Sequence, residues 1–421
     1  MVEAVLNFFD SLFIYIGSKF LYPNFITHFI SFMKSLFKRD NLFATFFLFI
    51  IILLLKSIHI NSHVFDPIQI ALSDIDFNDI AFSKTKKNDE VDKNIVIINI
   101  GAATRKDMIP LLTKLKNYHT AAIGLDIYYR DHGQDPEIDS IFKNKISDIK
   151  NIVLAEEIDF DKKKAINHSI FYDKNAHTGY VNFIGENKGV IRAYSPFENI
   201  NNNRVNSFTS SIIQLADINK YENLKERDNE IEYINYQRKN EGYTIVDNEE
   251  IMNNSIDSSL FSNKIVLIGI VDESGFNIED KHYTPLNEEF AHKKVPDMNG
   301  IIIHANILSM ILQHDYINRL PNWLMVLFSV LLAHIFMTIF IGYYIHKHIW
   351  FHLRFKTIQL ITSIFFIYVG ILCLRWNVYI DFTLLLVAIV MSVDILYFYE
   401  GIVLYLNKKF NYSTIFSKNK H

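Results

Sequence analysis

The sequence predicts an α/β domain enclosed by membrane-spanning helices. Between residues 94 and 157, short continuous apolar runs of the kind found in buried strands alternate with helical patterns. A further run, KIVLIG, rejoins the sheet at residues 264–269. Apolar stretches flank the whole region on both sides. The predicted fold class is therefore an α/β extracytoplasmic domain, with a largely parallel sheet, flanking helices and an inserted hairpin, plus four transmembrane α-helices.

The composition favours a membrane partner over a nucleic acid. Half of the residues are hydrophobic (50%), 14% are aromatic, and the formal net charge is only −4. The lipid bilayer is therefore an expected partner and nucleic acid is not. The one cysteine, Cys373, lies in an apolar span, so no disulfide within the chain can support the domain.

The chain begins with an amphipathic segment and a first span. In residues 1–40, apolar side chains recur at helical spacing, which favours a cytoplasmic or interfacial helix; they are Leu6, Phe9, Phe13, Ile16 and Phe20. Residues 41–59 form the first predicted transmembrane helix. Because Lys34, Lys38 and Arg39 precede that helix, its start is expected in the cytoplasm and its other end outside.

Residues 60–320 are the predicted extracytoplasmic domain, since charges and turn residues appear and no spanning stretch remains. The predicted strands lie at 94–100, 120–127, 151–157, 232–236, 243–246 and 264–271, and the helices at 105–118, 137–149, 208–217 and from Gly300. The hairpin is predicted within 178–196, around the sequence ENKG. The order of the strands in the sheet does not follow from the sequence.

Three further transmembrane helices are predicted at 322–346, 357–375 and 381–406, followed by a tail at 407–421. Basic residues lie between the first two of these and in the tail, on the side already marked by Lys34 to Arg39. The expected localisation is the inner membrane of a bacterium, as a multi-pass protein. Both termini are expected in the cytoplasm and the large domain in the periplasm.

This order of segments resembles the CHASE2 domain, an extracytoplasmic sensory module of bacterial membrane proteins. The likeness rests on IVIINI, AAIGLDIYY, GYVNFIGENKGVIRAY, FSNKIVLIG, HYTPL and GIIIHANILSMIL, and on one span before the domain and three after it. The resemblance covers residues 42–406. Family members commonly carry acidic residues after the first strand, whereas this chain has Asn99 and Gly101. The resemblance therefore transfers no ligand role to that position.

The resemblance implies a sensory function without an attached output. Members typically continue into a kinase or cyclase, whereas about fifteen residues follow the last span here. The sequence also lacks phosphate-loop, GxSxG, HExxH and paired CxxC motifs, so we expect no enzyme activity, cofactor or metal. We therefore expect a non-catalytic sensory or scaffold subunit, with a separate membrane or cytoplasmic protein as its output; a homo-oligomer is compatible. The alternative is a structural component of an envelope complex for secretion, motility or wall synthesis.

Five polar residues of the domain are candidate ligand-binding residues. Asp126 ends a predicted buried strand, and its spacing to Asp131 and Asp135 fits either a cation site or turn-capping carboxylates. His282 and Thr284 stand beside Pro285, where they either offer donors to an anionic ligand or stabilise a loop. The remaining two candidates, His304 and Asn306, lie on different faces of the closing helix, where bonding to nearby backbone is the alternative.

Two polar residues are expected deep in the membrane. Asp394 lies thirteen positions after Asp381, which places it about 20 Å into the bilayer. A carboxylate there is normally turned toward protein, and the candidate partner is either His334 of this chain or a group on a second protein. The histidines within residues 346–352 stand at irregular spacing beside Trp350, which favours interfacial anchors over a metal site.

Overall fold

The computed structural model describes residues 24–57, 90–160, 165–184, 189–272, 281–287, 296–345 and 351–419. The chain divides into two compact units. One unit contains Met1–Phe65, Arg319–Leu372 and Ile380–His421, and the other contains Asp66–Asn318 and Cys373–Tyr379. The predicted amphipathic repeat of residues 6–20 lies outside the described residues.

The second unit is built on a mixed sheet of seven strands among the residues described. The strands are β1 (Ile95–Asn99), β2 (Ala122–Leu125), β3 (Ile152–Asp159), β4 (Ala165–Asn167), β5 (His177–Tyr180), β10 (Thr244–Asp247) and β11 (Ile265–Gly269). Their order is β10-β1-β11-β2-β3-β4, and β5 also pairs with β3. All these pairs are parallel except β3 with β4. The predicted strands of continuous apolar sequence are thus confirmed as members of a largely parallel sheet.

Helices cover both faces of this sheet. They are α3 (Arg105–Leu115), α4 (Pro136–Ser147), α5 (Phe208–Ala216), α6 (Ile218–Glu226), α7 (Asn248–Met252) and α8 (Gly300–Gln313). The apolar sides of α3 and α4 pack on one face, where Val96, Ile123 and Val266 are fully buried. On the opposite face, α5 approaches β2 so closely that Gly124 is the residue that fits beneath Ile212 and Phe208. Helix α8 is buried from Gly300 to Ile311, as its nearly uninterrupted apolar sequence requires.

Short strands complete the second unit. They are β6 (Ala193–Tyr194), β7 (Phe197–Ile200), β8 (Asn203–Asn206), β9 (Glu232–Tyr233), β12 (Lys281–His282), β13 (Met298–Asn299), β14 (Asn318–Arg319) and β15 (Val378–Tyr379). The predicted hairpin around ENKG is not confirmed. Residues 185–188 lie outside the described residues, and in the described parts of its two flanking runs a single bridge joins Ile184 to Ala193. The hairpin that is present joins β7 to β8 through Asn201 and Asn202, both at positive φ.

The first unit is helical. Its helices are α1 (Asn24–Leu36), α2 (Arg39–Ser57), α9 (Asn322–Ile345), α10 (Phe351–Arg375) and α11 (Thr383–Phe410). Within the described residues, α9, α10 and α11 are long and apolar enough to cross a membrane. Helix α2, which contains most of the first predicted span, has 19 residues and is not among these three. Buried side chains of α2, α9 and α11 form one apolar core that includes Leu48, Met337 and Leu396.

Candidate functional site

Three polar residues of the second unit lie at the carboxyl ends of neighbouring parallel strands. Asp247 ends β10, Asn99 ends β1, Gly269 ends β11, and Asp126 follows β2 directly. Because these strands are neighbours and run in the same direction, the four residues lie along one edge of the sheet in that order. The carboxyl edge of an open α/β sheet is where ligands usually bind.

Asn99 ties three segments of this edge together. Its Nδ2 donates to Asp247 Oδ1 at 3.1 Å, and its Oδ1 accepts from the amides of Gly101 at 3.2 Å and Val271 at 3.0 Å. An amide supplies both a donor and an acceptor, whereas an ionised carboxylate only accepts. The resemblance leads us to expect an acidic residue at this position. Asn99 instead lies next to Asp247 without charge repulsion.

An open cleft of about 980 Å³ lies beside Asn99 at the carboxyl ends of β1 and β10. One wall comes from the start of α3 and the loop before it, and the other from α7. The lining residues are Asn99, Ile100, Gly101, Ala102, Ala103, Lys106, Asp107, Pro110, Asp247, Asn248, Glu249, Met252 and Asn253. Sequence reasoning missed this cleft; neither of the two predicted site clusters includes any of these residues.

The charged groups of the cleft have different partners. Asp107 Oδ2 accepts from the amide of Thr104 at 2.9 Å and from its hydroxyl at 2.6 Å, and these bonds lower the pKa of Asp107. Asp247 accepts from Asn99. Lys106 and Glu249 are exposed at the two walls, and neither has an ion-pair partner among the residues described.

Three of the five predicted site residues come together farther along the edge. His304 Nε2 lies 3.9 Å from Asp126 Oδ1. The ring of Phe183 contacts both histidines, with centroid distances of 4.6 Å to His304 and 5.6 Å to His282. Burial lowers the pKa of His304 to about 3 and lowers the pKa of His282 as well, so both rings are neutral near pH 7. His304 Nδ1 is buried and has no hydrogen-bond partner among the residues described.

The other two predicted residues, Thr284 and Asn306, form hydrogen bonds with neighbouring segments of the chain. Thr284 donates its hydroxyl to Asp297 at 2.6 Å and its amide to the same carboxylate at 2.8 Å. Asn306 accepts from the amides of Gln237 and Arg238 and donates to the Arg238 carbonyl at 2.9 Å. Both side chains are fully occupied in fixing segments next to β12 and α8. The structural alternative therefore accounts for the contacts of Thr284 and Asn306.

Of the two interpretations of Asp126, Asp131 and Asp135, a cation site or turn-capping carboxylates, the contacts of Asp135 favour capping. Asp135 caps α4 by accepting from the amide of Glu137 at 2.9 Å, and the Asp131 carbonyl accepts from Arg105. No cluster of three metal-ligating side chains occurs among the described residues. Helix capping thus accounts for the Asp135 carboxylate. The histidine-rich stretch at residues 346–352 lies outside the described side chains.

Asp394 and His334 have partners other than each other. Asp394 on α11 forms an ion pair with Lys356 on α10, with an Nζ–Oδ2 distance of 2.9 Å. His334 Nδ1 instead lies 2.8 Å from the Thr45 hydroxyl, and its Nε2 lies 2.9 Å from the Leu36 carbonyl. The expected contact between Asp394 and His334 is therefore wrong, because each finds a partner on a different helix.

Two further polar contacts of the helical unit were missed. Asp40 at the start of α2 is buried and accepts from Tyr399 at 3.1 Å, from Thr414 at 3.1 Å and from the Ile415 amide at 2.9 Å. Gln359 on α10 donates to the Ile389 carbonyl of α11 at 2.6 Å. The first set of bonds fixes the tail to α2, and the second joins two apolar helices through a polar group, as membrane helices commonly do.

The comparisons with known proteins agree with this architecture. A model of the CHASE2 domain matches residues 44–344, which include most of α2, the whole seven-stranded sheet and nearly all of α9. No curated protein and no solved structure gives a significant match. The family match extends over more than half of the chain. The chain belongs to the CHASE2 domain family.

Proposed function

We propose that this protein is a non-catalytic sensory subunit of the bacterial inner membrane, which passes an envelope signal from its CHASE2 domain to a separate protein. The family supports a sensory role. Three apolar helices support a membrane location. The sequence contains none of the catalytic motifs sought above. We therefore propose that a partner, which is a membrane or cytoplasmic protein, supplies the output.

One observation carries the transmission step. Residues 373–379, which comprise the end of α10 and the start of its connection to α11, are part of the second unit. Asp315 holds this connection by accepting from Asn377, and the Asn318 amide donates to the Asn377 carbonyl at 2.7 Å. Tyr379 stacks on Tyr233 of the domain with a centroid distance of 4.9 Å. A rearrangement in the domain therefore acts on the chain between two apolar helices.

The proposal includes a fourth span and a fixed orientation. Helix α2 is uncharged from Leu42 to Leu55, and Lys34, Lys38 and Arg39 precede this stretch, so α2 is proposed to cross the membrane from the cytoplasm outward. The domain then lies in the periplasm and the tail in the cytoplasm. To test this, a cysteine replaces Lys150 or Lys409 in a Cys373→Ser background, and an impermeant thiol reagent is applied to intact cells. We expect labelling at position 150 alone. Labelling at position 409 alone would show that the orientation is the opposite of the one proposed.

Copurification tests the signalling role. The full chain is recovered from gently solubilised membranes, and the proteins bound to it are identified by mass spectrometry. Recovery of a kinase or nucleotide cyclase supports the proposal. Its recovery should fall in Asp315→Ala, which removes the hydrogen bond to Asn377. Recovery of secretion, motility or wall-synthesis proteins instead would favour a structural component of an envelope complex. A second copy of this chain as the sole partner would contradict the need for a separate output protein.

A further inference from the structure

We propose that two copies of this chain associate in the membrane through the exposed sides of α10 and α11, where Lys356 of each copy also bonds Asp394 of the other. The inference deepens the proposed function, on whose membrane location it rests, by naming the surface through which the sensor dimerises. It involves neither the cleft beside Asn99 nor the cluster of His304 and Asp126.

The first observation is that the ion pair of the spans faces outward. Lys356 Nζ donates to Asp394 Oδ1 at 3.2 Å and to Oδ2 at 2.9 Å. The two side chains are nevertheless 49% and 60% exposed. They lie on helices apolar enough to cross a membrane, so in the proposed location their exposed parts face acyl chains rather than water. Charged groups within spans normally face protein or a water-filled cavity.

The depth of the pair makes this exposure costly. Asp394 lies thirteen residues after Asp381, which is about 20 Å along a helix. In a hydrocarbon layer about 30 Å thick, the carboxylate then lies about 10 Å from the inner boundary. Lys356 bonds both oxygens of this carboxylate instead of extending toward the headgroups, which is how a lysine near a helix end usually avoids lipid. Protein that covers the pair would remove the cost.

The second observation is the shallow packing of α10. Only 17% of this span is buried, against 39% of α9 and 44% of α11. Exposed apolar residues recur at helical spacing on one side of each of the two helices, namely Leu353, Leu360, Ile361 and Ile364 on α10 and Val387, Val390, Phe398 and Ile402 on α11. The ion pair joins these two stripes. Acyl chains cover apolar stripes as well as protein does, so the charges decide what occupies this surface.

A second copy of the chain fits this surface by symmetry. A two-fold axis along the membrane normal brings the same surface of both copies together and keeps every group at its depth. Each ammonium then lies beside two carboxylates, its own and that of the second copy. An ammonium has three donors and a carboxylate has about four acceptor sites, so both retain capacity beyond the pair within one chain. A different helix would need its own donor and acceptor at this depth, whereas a second copy supplies both.

Crosslinking of the purified full chain tests the surface. The Cys373→Ser chain, which has no other cysteine, is reconstituted into phosphatidylcholine vesicles with Val390→Cys or Phe398→Cys, one turn on either side of Asp394. Leu331→Cys on α9 is the matched control, because Leu331 is 54% exposed, Val390 is 51% exposed, and both lie at a similar distance from the start of their helix. After oxidation with copper phenanthroline, we expect several-fold more disulfide-linked dimer at position 390 or 398 than at position 331.

The charges are tested by complementation. Copies that carry only Lys356→Leu and copies that carry only Asp394→Leu are expressed together under different tags. We expect the two kinds to copurify with each other more than with themselves, because the mixed dimer keeps one ammonium and one carboxylate across the interface. The double variant Lys356→Leu with Asp394→Leu should dimerise at least about tenfold more weakly on dilution into lipid, because it loses both symmetry-related contacts.

Three results would overturn the proposal. Dimer yields at positions 390 and 398 no higher than at 331 would assign the surface to lipid, and this measurement leaves the ion pair intact, so it decides even if the charge variants do not fold. Unchanged dimerisation of the double variant would exclude a role for the charges. Capture in intact cells of a different protein at position 390, in place of a second copy, would assign the surface to that protein. The vesicles contain no output protein, so failure there leaves the proposed function standing.

Discussion

Asp315 and Asn377 are joined by a hydrogen bond although 62 residues separate them in the chain. The same carboxylate accepts from Asn235 Nδ2 at 2.9 Å and from the side chain of Gln237. Asp315, two residues after the end of α8, thus binds three amide side chains from two other segments. Removing it would leave several donors without their acceptor.

We expect Asp315→Ala to lower the free energy of unfolding of the full chain by about 1–3 kcal/mol, because partly buried amides lose a charged acceptor. Denaturant unfolding in detergent measures this change. Lys150→Ala, at an exposed position of the same unit, is the control and should change stability little. Equal stability of the two variants would show that the cluster contributes nothing to the fold.

Gly124→Ala should also destabilise the sheet. A Cβ at this position would lie 2.5 Å from Ile212 Cδ1 and 2.9 Å from both Leu267 Cδ2 and Phe208 Cζ. Overpacking of this kind typically costs about 1–3 kcal/mol. Gly401→Ala is the matched control, since a Cβ there meets nothing within 4 Å. The melting temperature should fall for the first variant alone, and a fall in neither would mean that α5 adjusts freely.

The ion pair between Lys356 and Asp394 predicts a pattern of rescue. In a bilayer, Asp394→Leu alone leaves the Lys356 ammonium without its counter-ion, which lipid solvates poorly. We expect the yield of monodisperse protein after solubilisation to fall for this variant, and to fall likewise for Lys356→Leu. The double variant, which removes both charges, should recover most of it. If the double variant behaves no better than either single one, the pair is not formed in the membrane.

The buried His304 makes stability depend on pH. Its pKa is about 3 in the folded protein and 6.5 in the absence of burial. Between these values the unfolded chain binds a proton that the folded chain excludes, so stability falls as pH decreases from 6.5 toward 3. The slope from this group is at most about 1.4 kcal/mol per pH unit. Unfolding measured from about pH 7 to about pH 4 should show a smaller slope in His304→Gln. Exposed His177→Gln should keep the original slope.

The sequence predicted the strands of the sheet better than their arrangement. Runs such as Ile95–Asn99 and Ile265–Gly269 are apolar enough to be identified locally. Their adjacency depends on side chains packed from distant segments, so the placement of β11 between β1 and β2 did not follow from either run. The hairpin through Asn201 and Asn202 carried a local signal, because asparagine tolerates the positive φ of tight hairpin turns. The turn was predicted at ENKG instead.

The candidate sites are harder to predict from the sequence than the strands are. His304 and Asp126 do approach each other, but the cleft is formed by residues 99–110 and 247–253, whose adjacency requires β1 and β10 to pair. The partner of Asp394 was assigned wrongly because depth along α11 alone pointed to His334. Lys356, on the neighbouring helix α10, reaches the same carboxylate with a long side chain.

Because residues 373–379 belong to the second unit, that unit is discontinuous in the chain. A soluble fragment cut from residues 66–318 would lack Asn377 and Tyr379, and Asp315 and Tyr233 would face solvent where those partners belong. Production of the isolated domain therefore calls for an internal deletion, in which a short linker replaces residues 319–372 and joins the 373–379 segment to residue 318.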